Sequence, residues 1–315
     1  MFQRSFILIC AALIVCAGGC NRRTGSTDGR PRVALVLKTL NNPFFIEMQR
    51  GAEEAARRLG VELTVQAAER ETDVEKQMQI IENLIQARVN ALAVTPSGSR
   101  EVVPAIGKAN LANIPVVVVD TRLDAKAAAD AGVKTVSFVG SDNYRGGQLI
   151  GEFLVKASGG KARVAILEGI AGHETGDSRV RGFRDAVKGS PGIVIVASQT
   201  ANWERDQGFS VFQNILQAHP DLDAVFACND MMALGAIEAI NTAGKASRIR
   251  VLGFDAVKDA RAALESGAMA ATVAQYPDEM GKVAVETALK AIRGEAVSSD
   301  IGVRIELVTK ENARQ

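Results

Sequence analysis

From Pro31 onward, short runs of apolar, mostly β-branched residues alternate with longer segments whose apolar residues recur every three or four positions. Runs such as 116–119 are apolar at every position, which is typical of parallel strands buried on both faces. Strands that alternate with helices predict an α/β protein, because each parallel connection needs a crossover. The predicted strands are 32–38, 61–67, 91–95, 115–120, 135–140, 163–168, 193–198, 224–227, 250–253, 271–275 and 303–308.

Helical periodicity between these runs predicts crossovers on both faces of each sheet, which is a doubly wound architecture. About ten strands are more than one twisted open sheet usually contains, so two lobes are favoured over one. A chain of 315 residues is long enough for both. The predicted helices are 45–59, 74–87, 144–157, 178–188, 205–218, 231–243, 257–265 and 277–292.

The first twenty residues predict an export signal. Arg4 precedes a mostly apolar run over 6–17, which is shorter than the roughly 20 residues that span a bilayer. The block 17–20, Ala-Gly-Gly-Cys, resembles a bacterial lipobox, which would make Cys20 the lipidated first residue of the mature chain. Ala17 stands where an aliphatic residue such as Leu is usual, so ordinary cleavage after Ala17 is the alternative. The polar segment 21–30 is predicted to be a flexible tether.

Composition excludes several classes of function. A formal net charge of +1 provides no electrostatic footprint for nucleic acid or for an anionic membrane. The histidines, His173 and His219, are too few for a multi-histidine zinc site, and no phosphate-binding glycine motif is present. We therefore predict neither a metal nor a cofactor. Cys228 ends an apolar run and is predicted to be a core residue rather than a redox centre.

Polar and aromatic residues follow the predicted strands at their carboxyl ends, where open parallel sheets bind ligands. Amides, carboxylates and an arginine can pair with several hydroxyls, and aromatic rings provide flat apolar faces. A sugar ring has an apolar C–H face and a polar rim, and this combination of side chains matches both. The candidate ligand-binding residues are Lys38, Asn42, Phe44, Phe45, Thr95, Asp120, Thr121, Arg179, Trp203, Asn229, Phe254, Asp255 and Gln275.

Several of these positions have a purely structural alternative. Asp230 and Asp255 could cap the helices that follow them, and Asn42 before a proline is an ordinary helix entry. Asp120 could form a turn, and Arg179 could be a solvated helix residue. The ligand interpretation therefore depends on the joint pattern rather than on any single residue.

Six motifs occur in an order that resembles the type I sugar-binding proteins of ABC importers. The resemblance extends from residue 31 to about residue 310, which is nearly all of the predicted mature chain. The motifs are 39–45 (TLNNPFF), 169–172 (GIAG), 218–221 (AHPD), 229–236 (NDMMALGA), 251–255 (VLGFD) and 271–275 (ATVAQ).

The resemblance implies two α/β lobes that are joined by three crossings, with a monosaccharide bound in the cleft between them. It implies an N-terminal lobe of 31–141 plus 276–303 and a C-terminal lobe of 142–275 plus 304–315. Phe45 and Trp203 would contact the sugar ring from opposite lobes. The expected protein is a monomer in the periplasm or on the outer cell surface, without enzymatic activity. Its partner would be an ABC permease, and its contact with the membrane would be a lipid anchor alone.

Four positions differ from the ribose-binding members of the family. Lys38 stands where those proteins have Ser, Thr95 replaces Asn, Thr121 replaces Arg, and Trp203 replaces Phe. The loss of one cleft arginine and the gain of a lysine move a donor across the pocket. The expectation is therefore ribose or a related sugar or polyol.

Three other functions fit parts of the pattern. A sugar sensor that presents its ligand to a chemoreceptor or a kinase would use the same fold. A sugar-responsive repressor core would also use it, but needs an N-terminal DNA-binding helix-turn-helix where this chain has an export signal. A sugar-active enzyme would need a general acid, and no residue of the sequence is marked for that role.

Overall fold

The computed structural model describes residues 29–245 and 248–314. The predicted signal peptide (1–20), the predicted lipidation site Cys20 and most of the predicted tether lie outside the described residues. From Pro31 onward the chain forms one compact unit. Within the described ranges, none of the helices combines the length and the apolar character that a membrane crossing requires.

The first lobe is built on a sheet of six strands that pair in parallel. These strands are β1 (Arg32–Thr39), β2 (Glu62–Ala68), β3 (Ala91–Val94), β4 (Val116–Val119), β5 (Ser137–Ser141) and β11 (Asp300–Val303). Their order across the sheet is β11-β5-β4-β3-β1-β2. The helices between them are α1 (Pro43–Leu59), α2 (Val74–Gln86), α3 (Val103–Leu111) and α4 (Ala125–Asp130), and α10 (Pro277–Ile292) precedes β11.

The second lobe repeats this plan. Its strands are β6 (Lys161–Glu168), β7 (Gly192–Thr200), β8 (Ala224–Ala227), β9 (Arg250–Leu252), β10 (Ala271–Ala274) and β12 (Glu306–Thr309). Their order is β12-β10-β9-β8-β6-β7, and β12 alone runs antiparallel to its neighbour. The helices are α5 (Asn143–Ser158), α6 (Glu174–Val187), α7 (Arg205–Ala218), α8 (Asp230–Thr242) and α9 (Lys258–Ser266). Two α/β lobes with parallel sheets confirm the predicted fold class.

The chain passes between the two sheets three times: after β5, after β10 and between β11 and β12. The last passage corrects the sequence analysis, which predicted one strand over 303–308. Two short strands stand there instead, and they belong to different lobes. A local apolar pattern cannot specify which sheet a strand joins, so it merged them. The predicted lobe boundaries at 141, 275 and 303 stay a prediction, and the division of the strands is consistent with them.

Two helices, α3 and α4, were not predicted. α3 contains Pro104, Gly107 and Asn110, which weaken its helical pattern. α4 is six residues long and, in the described structure, buries none of its side chains, so it has no apolar face to detect. All of the predicted helices are present, and their ends differ from the prediction by a few residues. The largest change is at α6, which begins at Glu174 rather than at residue 178.

Glycines allow the helix backbones beside the cleft to touch. A Cβ atom on Gly51 of α1 would lie 1.9 Å from the Asp278 carbonyl oxygen of α10, and one on Gly281 would lie 1.9 Å from the Met48 carbonyl. In the second lobe, a Cβ on Gly147 of α5 would lie 2.1 Å from the carbonyl oxygen of Arg179 in α6. These separations are far below van der Waals contact. Each pair of helices can therefore pack this closely only because glycine has no side chain at the contact. The helices that carry Phe44, Phe45 and Arg179 are positioned in this way.

We expect Gly51→Ala to lower the free energy of unfolding by about 1–3 kcal/mol, because the added methyl group must push α10 away. Urea titration measures this change. Gly189→Ala is the matched control, since a Cβ there meets no described atom within 4 Å. Its effect should stay below about 0.5 kcal/mol. Equal stabilities of the two variants would contradict the close contact between α1 and α10.

Candidate functional site

The carboxyl ends of the strands of both lobes face one small cavity, which is lined by residues of both lobes. The residues that line the cavity come from the end of β1, from the segments after β1, β2, β4, β7, β8, β9 and β10, and from the first two turns of α1 and α6. They are Lys38, Asn42, Phe44, Phe45, Glu71, Asp120, Thr175, Arg179, Trp203, Asn229, Asp255 and Gln275.

A buried charged cluster forms the first lobe's side of the cavity. Nζ of Lys38 lies 3.2 Å from Oδ2 of Asp120 and 3.8 Å from Oε2 of Glu71. Nδ2 of Asn42 donates to Oε1 of Glu71 over 3.1 Å. Burial raises the pKa of Glu71, and the charge of Lys38 and the bond from Asn42 oppose that rise. The Lys38 ammonium group therefore forms ion pairs with two buried carboxylates, those of Asp120 and Glu71.

Asn42 also begins α1. Its Oδ1 accepts a hydrogen bond from the Phe44 backbone N–H over 3.0 Å, and Pro43 occupies the first helical position. The helix-entry alternative is therefore correct, and it coexists with a position in the cavity lining. The Phe44 and Phe45 rings that follow stand perpendicular to each other, 5.2 Å apart between centroids.

Arg179 organises the second lobe's side of the cavity. Its Nε donates to Oδ1 of Asn143 over 2.9 Å, and its guanidinium lies 3.8 Å from the centroid of the Phe254 ring. Nη1 is 3.7 Å from Oδ1 of Asp255, which accepts a 2.6 Å hydrogen bond from Nε2 of Gln275. Burial raises the pKa of Asp255 well above its usual value, although Arg179 acts in the opposite direction. Arg179 is thus a buried, fully engaged residue and not a solvated one.

Three of the predicted site residues adopt positive φ angles: Asp120 at 62°, Trp203 at 67° and Asp255 at 114°. Residues other than glycine rarely occupy this region, and such strain concentrates at functional sites. Each of these residues lies within three positions of the end of its strand, and all three line the cavity.

The Trp203 indole is packed against glycine on one side and hydrogen-bonded at its edge. A Cβ atom on Gly169 would lie 1.9 Å from Cζ2 of the indole, so only glycine fits there. Nε1 of Trp203 donates to Nδ1 of His173 over 3.3 Å. Burial, together with the charge of Lys38, lowers the pKa of His173 to about 4. The imidazole is therefore neutral at neutral pH and able to accept this bond.

The two lobes contact each other beside the cavity. The hydroxyls of Thr121 and Thr175 are 3.0 Å apart, and the backbone N–H of Glu174 donates to Oγ of Ser99 over 3.2 Å. Thr121 and Ser99 belong to the first lobe, whereas Glu174 and Thr175 begin α6 in the second. The cleft is thus closed in this structure.

Three candidate residues lie beside the cavity rather than in its lining. The Thr95 hydroxyl donates to the Val36 carbonyl over 3.1 Å, and Thr121 donates to Oδ2 of Asp120 over 3.0 Å. Phe254 lies beneath the Arg179 guanidinium. The other candidates line the cavity, and their role in binding a ligand stays a prediction.

The sequence analysis missed Glu71 and Thr175, which both line the cavity. Glu71 follows β2 by three residues, so the rule applied to the other strands would have found it. Thr175 lies in the loop-to-helix entry after β6, close to the predicted Arg179, and nothing in the sequence distinguishes it from its neighbours.

The capping alternatives for the two aspartates are wrong. Asn229, not Asp230, caps α8, since its Oδ1 accepts from the Met232 backbone N–H over 2.9 Å. Asp230 instead accepts from the Val257 N–H over 2.9 Å and from Oγ1 of Thr272 over 2.8 Å. The cap residue of α9 is Val257, so Asp255 does not begin that helix. The Asp230 contacts stabilise the loop that places Asp255 in the cavity.

Three further observations bear on the chemistry of the described residues. The Cys228 thiol is buried and unpaired, and burial raises its pKa to about 12, which confirms its assignment to the core. Among the described residues, no cluster of His, Cys, Asp and Glu has the size that a metal site needs. Also within this set, the buried Oε1 of Gln275 has no hydrogen-bond partner. It is an acceptor available at the cavity.

Two parallel-sheet lobes closed over a polar and aromatic cavity define a two-lobed solute-binding protein. Residues 33–296 match the family model of the periplasmic binding protein domain. The chain belongs to the periplasmic binding protein family, which confirms the predicted resemblance. This family binds solutes, and membership implies a location in the periplasm.

Relatives and solved structures agree with this assignment. The ribose import binding protein RbsB of Escherichia coli K12 is 41% identical over 279 residues, which cover 89% of this chain and 90% of that protein. A D-ribose/D-allose-binding protein of Pseudomonas aeruginosa is 37% identical over 291 residues, covering 90% of each chain. The structure also resembles an ABC transporter periplasmic solute binding protein from Actinobacillus succinogenes with bound D-allose. The TM-score is 0.85 at 42% identity, with 90% of this chain and 99% of that chain covered.

We expect Gly169→Ala to displace the Trp203 ring, because the new methyl group would occupy the position of the indole carbons. Trp203 is the only tryptophan of the chain, so fluorescence reports on this one ring. Its emission maximum should move to longer wavelength as the ring moves toward water. Gly189→Ala should leave the emission unchanged. A Gly169→Ala spectrum identical to the wild type would contradict the packing described for the indole.

Proposed function

We propose that this chain binds a neutral monosaccharide or small polyol in the closed cleft and delivers it to the permease of an ABC importer. The observation that carries the proposal is the cavity itself, to which both lobes contribute an aromatic ring and hydrogen-bonding groups. Phe45 comes from the first lobe and Trp203 from the second, so the two rings can contact opposite faces of one sugar ring. The named ligands of the relatives, D-ribose and D-allose, support the same ligand class.

The hydrogen-bonding capacity left at the cavity suits hydroxyl groups. Asn42 and Asn229 each use their oxygen to cap a helix and one amide N–H for a protein partner. The second N–H of each amide is then available to a ligand oxygen. Oε1 of Gln275 and the carboxylate of Asp255 can accept hydrogen bonds from hydroxyls. Donors and acceptors in comparable number are what a polyhydroxylated ring requires.

The charge of the cavity favours a neutral ligand. Glu71, Asp120 and Asp255 contribute carboxylates, whereas Lys38 and Arg179 contribute the cations. Both cations already lie within 4.0 Å of carboxylate oxygens. A phosphorylated sugar or a sugar acid would add negative charge to a buried site that already has an excess of acidic groups, at a high desolvation cost.

Binding in this proposal closes the cleft. Groups from both lobes can contact one ligand only when the lobes are together, so a ligand shifts the equilibrium toward the closed form. The three chain passages between the sheets would act as the hinge, with lobes of 31–141 plus 276–303 and 142–275 plus 304–315. We assign binding rather than catalysis, because the relatives that this chain resembles are named as binding proteins for sugars.

The first test is a thermal-shift panel of pentoses, hexoses, polyols and phosphorylated sugars. A neutral sugar present at 100 times its Kd should add about 2.7 kcal/mol of stability. Phosphorylated sugars should add none. Stabilisation by sugar phosphates alone would contradict the proposed ligand class.

Asp255→Asn tests the site with whichever sugar the panel identifies. The amide keeps the size of the carboxylate but replaces an acceptor with a donor, so one ligand hydroxyl loses its partner. Affinity measured by calorimetry should fall at least about tenfold, or 1.4 kcal/mol. Asp259→Asn is the control, because this side chain is exposed on α9. Unchanged affinity in Asp255→Asn would remove Asp255 from the binding site.

We also propose that the mature protein is anchored by lipid at Cys20, as the lipobox resemblance implies. Cys20→Ser should release the protein into the soluble fraction or block removal of the signal. Stable anchoring needs more than one acyl chain, so mass spectrometry of the mature N-terminus should find a multiply acylated cysteine. Wild-type protein in the soluble fraction with Gly18 as its first residue would support ordinary cleavage instead.

A further inference from the structure

We propose that Arg261 is a positioning residue for Asp255, acting through the loop 253–257 that joins β9 to α9. This inference rests on the proposed function, because it concerns how a residue of the binding site is held for a ligand. Arg261 lies in α9, half-buried, and outside the cavity lining. It therefore acts on Asp255 through the backbone.

The loop 253–257 has an unfavourable backbone conformation. Asp255 and Ala256 are consecutive residues with positive φ angles, 114° and 54°. Residues other than glycine rarely adopt such angles, so contacts from the surrounding structure must hold both residues there. The peptide units on either side of Asp255 set the direction of its side chain. The placement of its carboxylate in the cavity thus depends on whatever holds this loop.

The peptide unit between Ala256 and Val257 is held at both ends by charged side chains. Its N–H donates to Oδ2 of Asp230 over 2.9 Å. Its carbonyl accepts a hydrogen bond from Nε of Arg261 over 3.1 Å. Hydrogen bonds to charged groups are stronger than those between neutral groups. An anionic acceptor and a cationic donor therefore fix the rotation of one peptide unit.

The preceding backbone groups of the loop are bonded to the sheet. The Ala256 N–H donates to Oγ1 of Thr272 over 3.3 Å, and the Asp255 N–H donates to the Val273 carbonyl over 2.7 Å. Thr272 and Val273 belong to β10. The strand thus fixes one side of the loop, and the bond from Arg261 to the Ala256 carbonyl fixes the other side against α9.

A second hydrogen bond orients the Arg261 side chain. Its Nη1 donates to the Ala313 carbonyl over 2.9 Å. Ala313 follows β12 and is buried, so this acceptor is held in place. The guanidinium is planar and its donors have a fixed geometry, so the bond at Nη1 also restricts the direction of Nε–H. The segment after β12 therefore supports the binding loop through Arg261.

Two substitutions of Arg261 separate the effects of these bonds. Arg261→Gln places an amide N–H at the position of Nε along the side chain, so it keeps a donor for Ala256 and loses the donor to Ala313. Arg261→Met keeps a similar length and removes both donors. Lys258→Ala is the control, because this cation is exposed on the same helix. Affinity for D-allose and D-ribose, or for a panel sugar if neither binds, is measured by calorimetry in the wild-type and Asp255→Asn backgrounds.

We expect Arg261→Met to lower affinity about tenfold, and Arg261→Gln and Lys258→Ala to stay within about threefold of wild type. In the Asp255→Asn background, Arg261→Met should cost no more than about threefold, since the residue that Arg261 positions is already altered. Wild-type affinity in Arg261→Met, equal losses in the Met and Gln variants, or equal losses in the two backgrounds would overturn the positioning role. If Arg261→Met fails to fold, a loss of about tenfold in Arg261→Gln would overturn it.

Hydrogen exchange of the unliganded protein separates this inference from the proposed function. The contacts of Arg261 and Asp230 lie within the second lobe, so they form without a ligand. The Val257 amide should exchange faster in Arg261→Met than in the wild type, and at the wild-type rate in Arg261→Gln. Unchanged exchange in Arg261→Met would overturn the inference and leave the proposed function intact. Wild-type protein that binds no panel sugar would remove the proposed function, and the role of Arg261 in binding with it.

Discussion

The closed cleft buries ionisable side chains from both lobes, and their need for partners determines the local structure around the cavity. An unpaired buried charge costs several kcal/mol, so each must meet an opposite charge or several hydrogen bonds. Lys38 lies between Asp120 and Glu71, and Arg179 lies between Asp255 and the amide of Asn143. These partners come from different strands and helices. The loops that carry them must therefore converge in a single arrangement, and parallel sheets provide it because their carboxyl ends share one edge.

That convergence depends on backbone that is either strained or free of side chains. Asp120, Trp203 and Asp255 have positive φ angles, which their surroundings must compensate. Asp230 contributes to this compensation by accepting bonds from Thr272 and from the backbone beside Asp255. Gly169 provides the space for the indole. Residues outside the cavity lining thus stabilise the geometry of the site, and substitutions among them should alter that geometry.

The sequence predicted most of the fold because its signals are local. The run 116–119 is apolar at every position since β4 is buried on both faces, and no tertiary knowledge is needed to recognise it. The division of 303–308 between two lobes could not be predicted, because it depends on distant strands. The site residues, like the strands, were predictable where their signal is local and not where it depends on distant residues. Residues at strand ends, Glu71 among them, are recognisable by position, whereas the pairing of Glu71 with Lys38 and Asn42 depends on the fold and is visible only in the structure.

The same buried charges explain why a neutral ligand would suit a cleft that closes. Arg179 and Asp255 are already paired in the protein, so a hydroxyl can join them without breaking a charge pair or adding one. Each charge-assisted hydrogen bond of this kind contributes about 1.5–3 kcal/mol, and it is stronger where water is excluded. In the closed cleft, Glu174 and Thr175 contact the opposite lobe. In the proposed function, affinity and closure would therefore be two consequences of one event, since bonds from both lobes to one ligand would reach full strength only when the lobes meet.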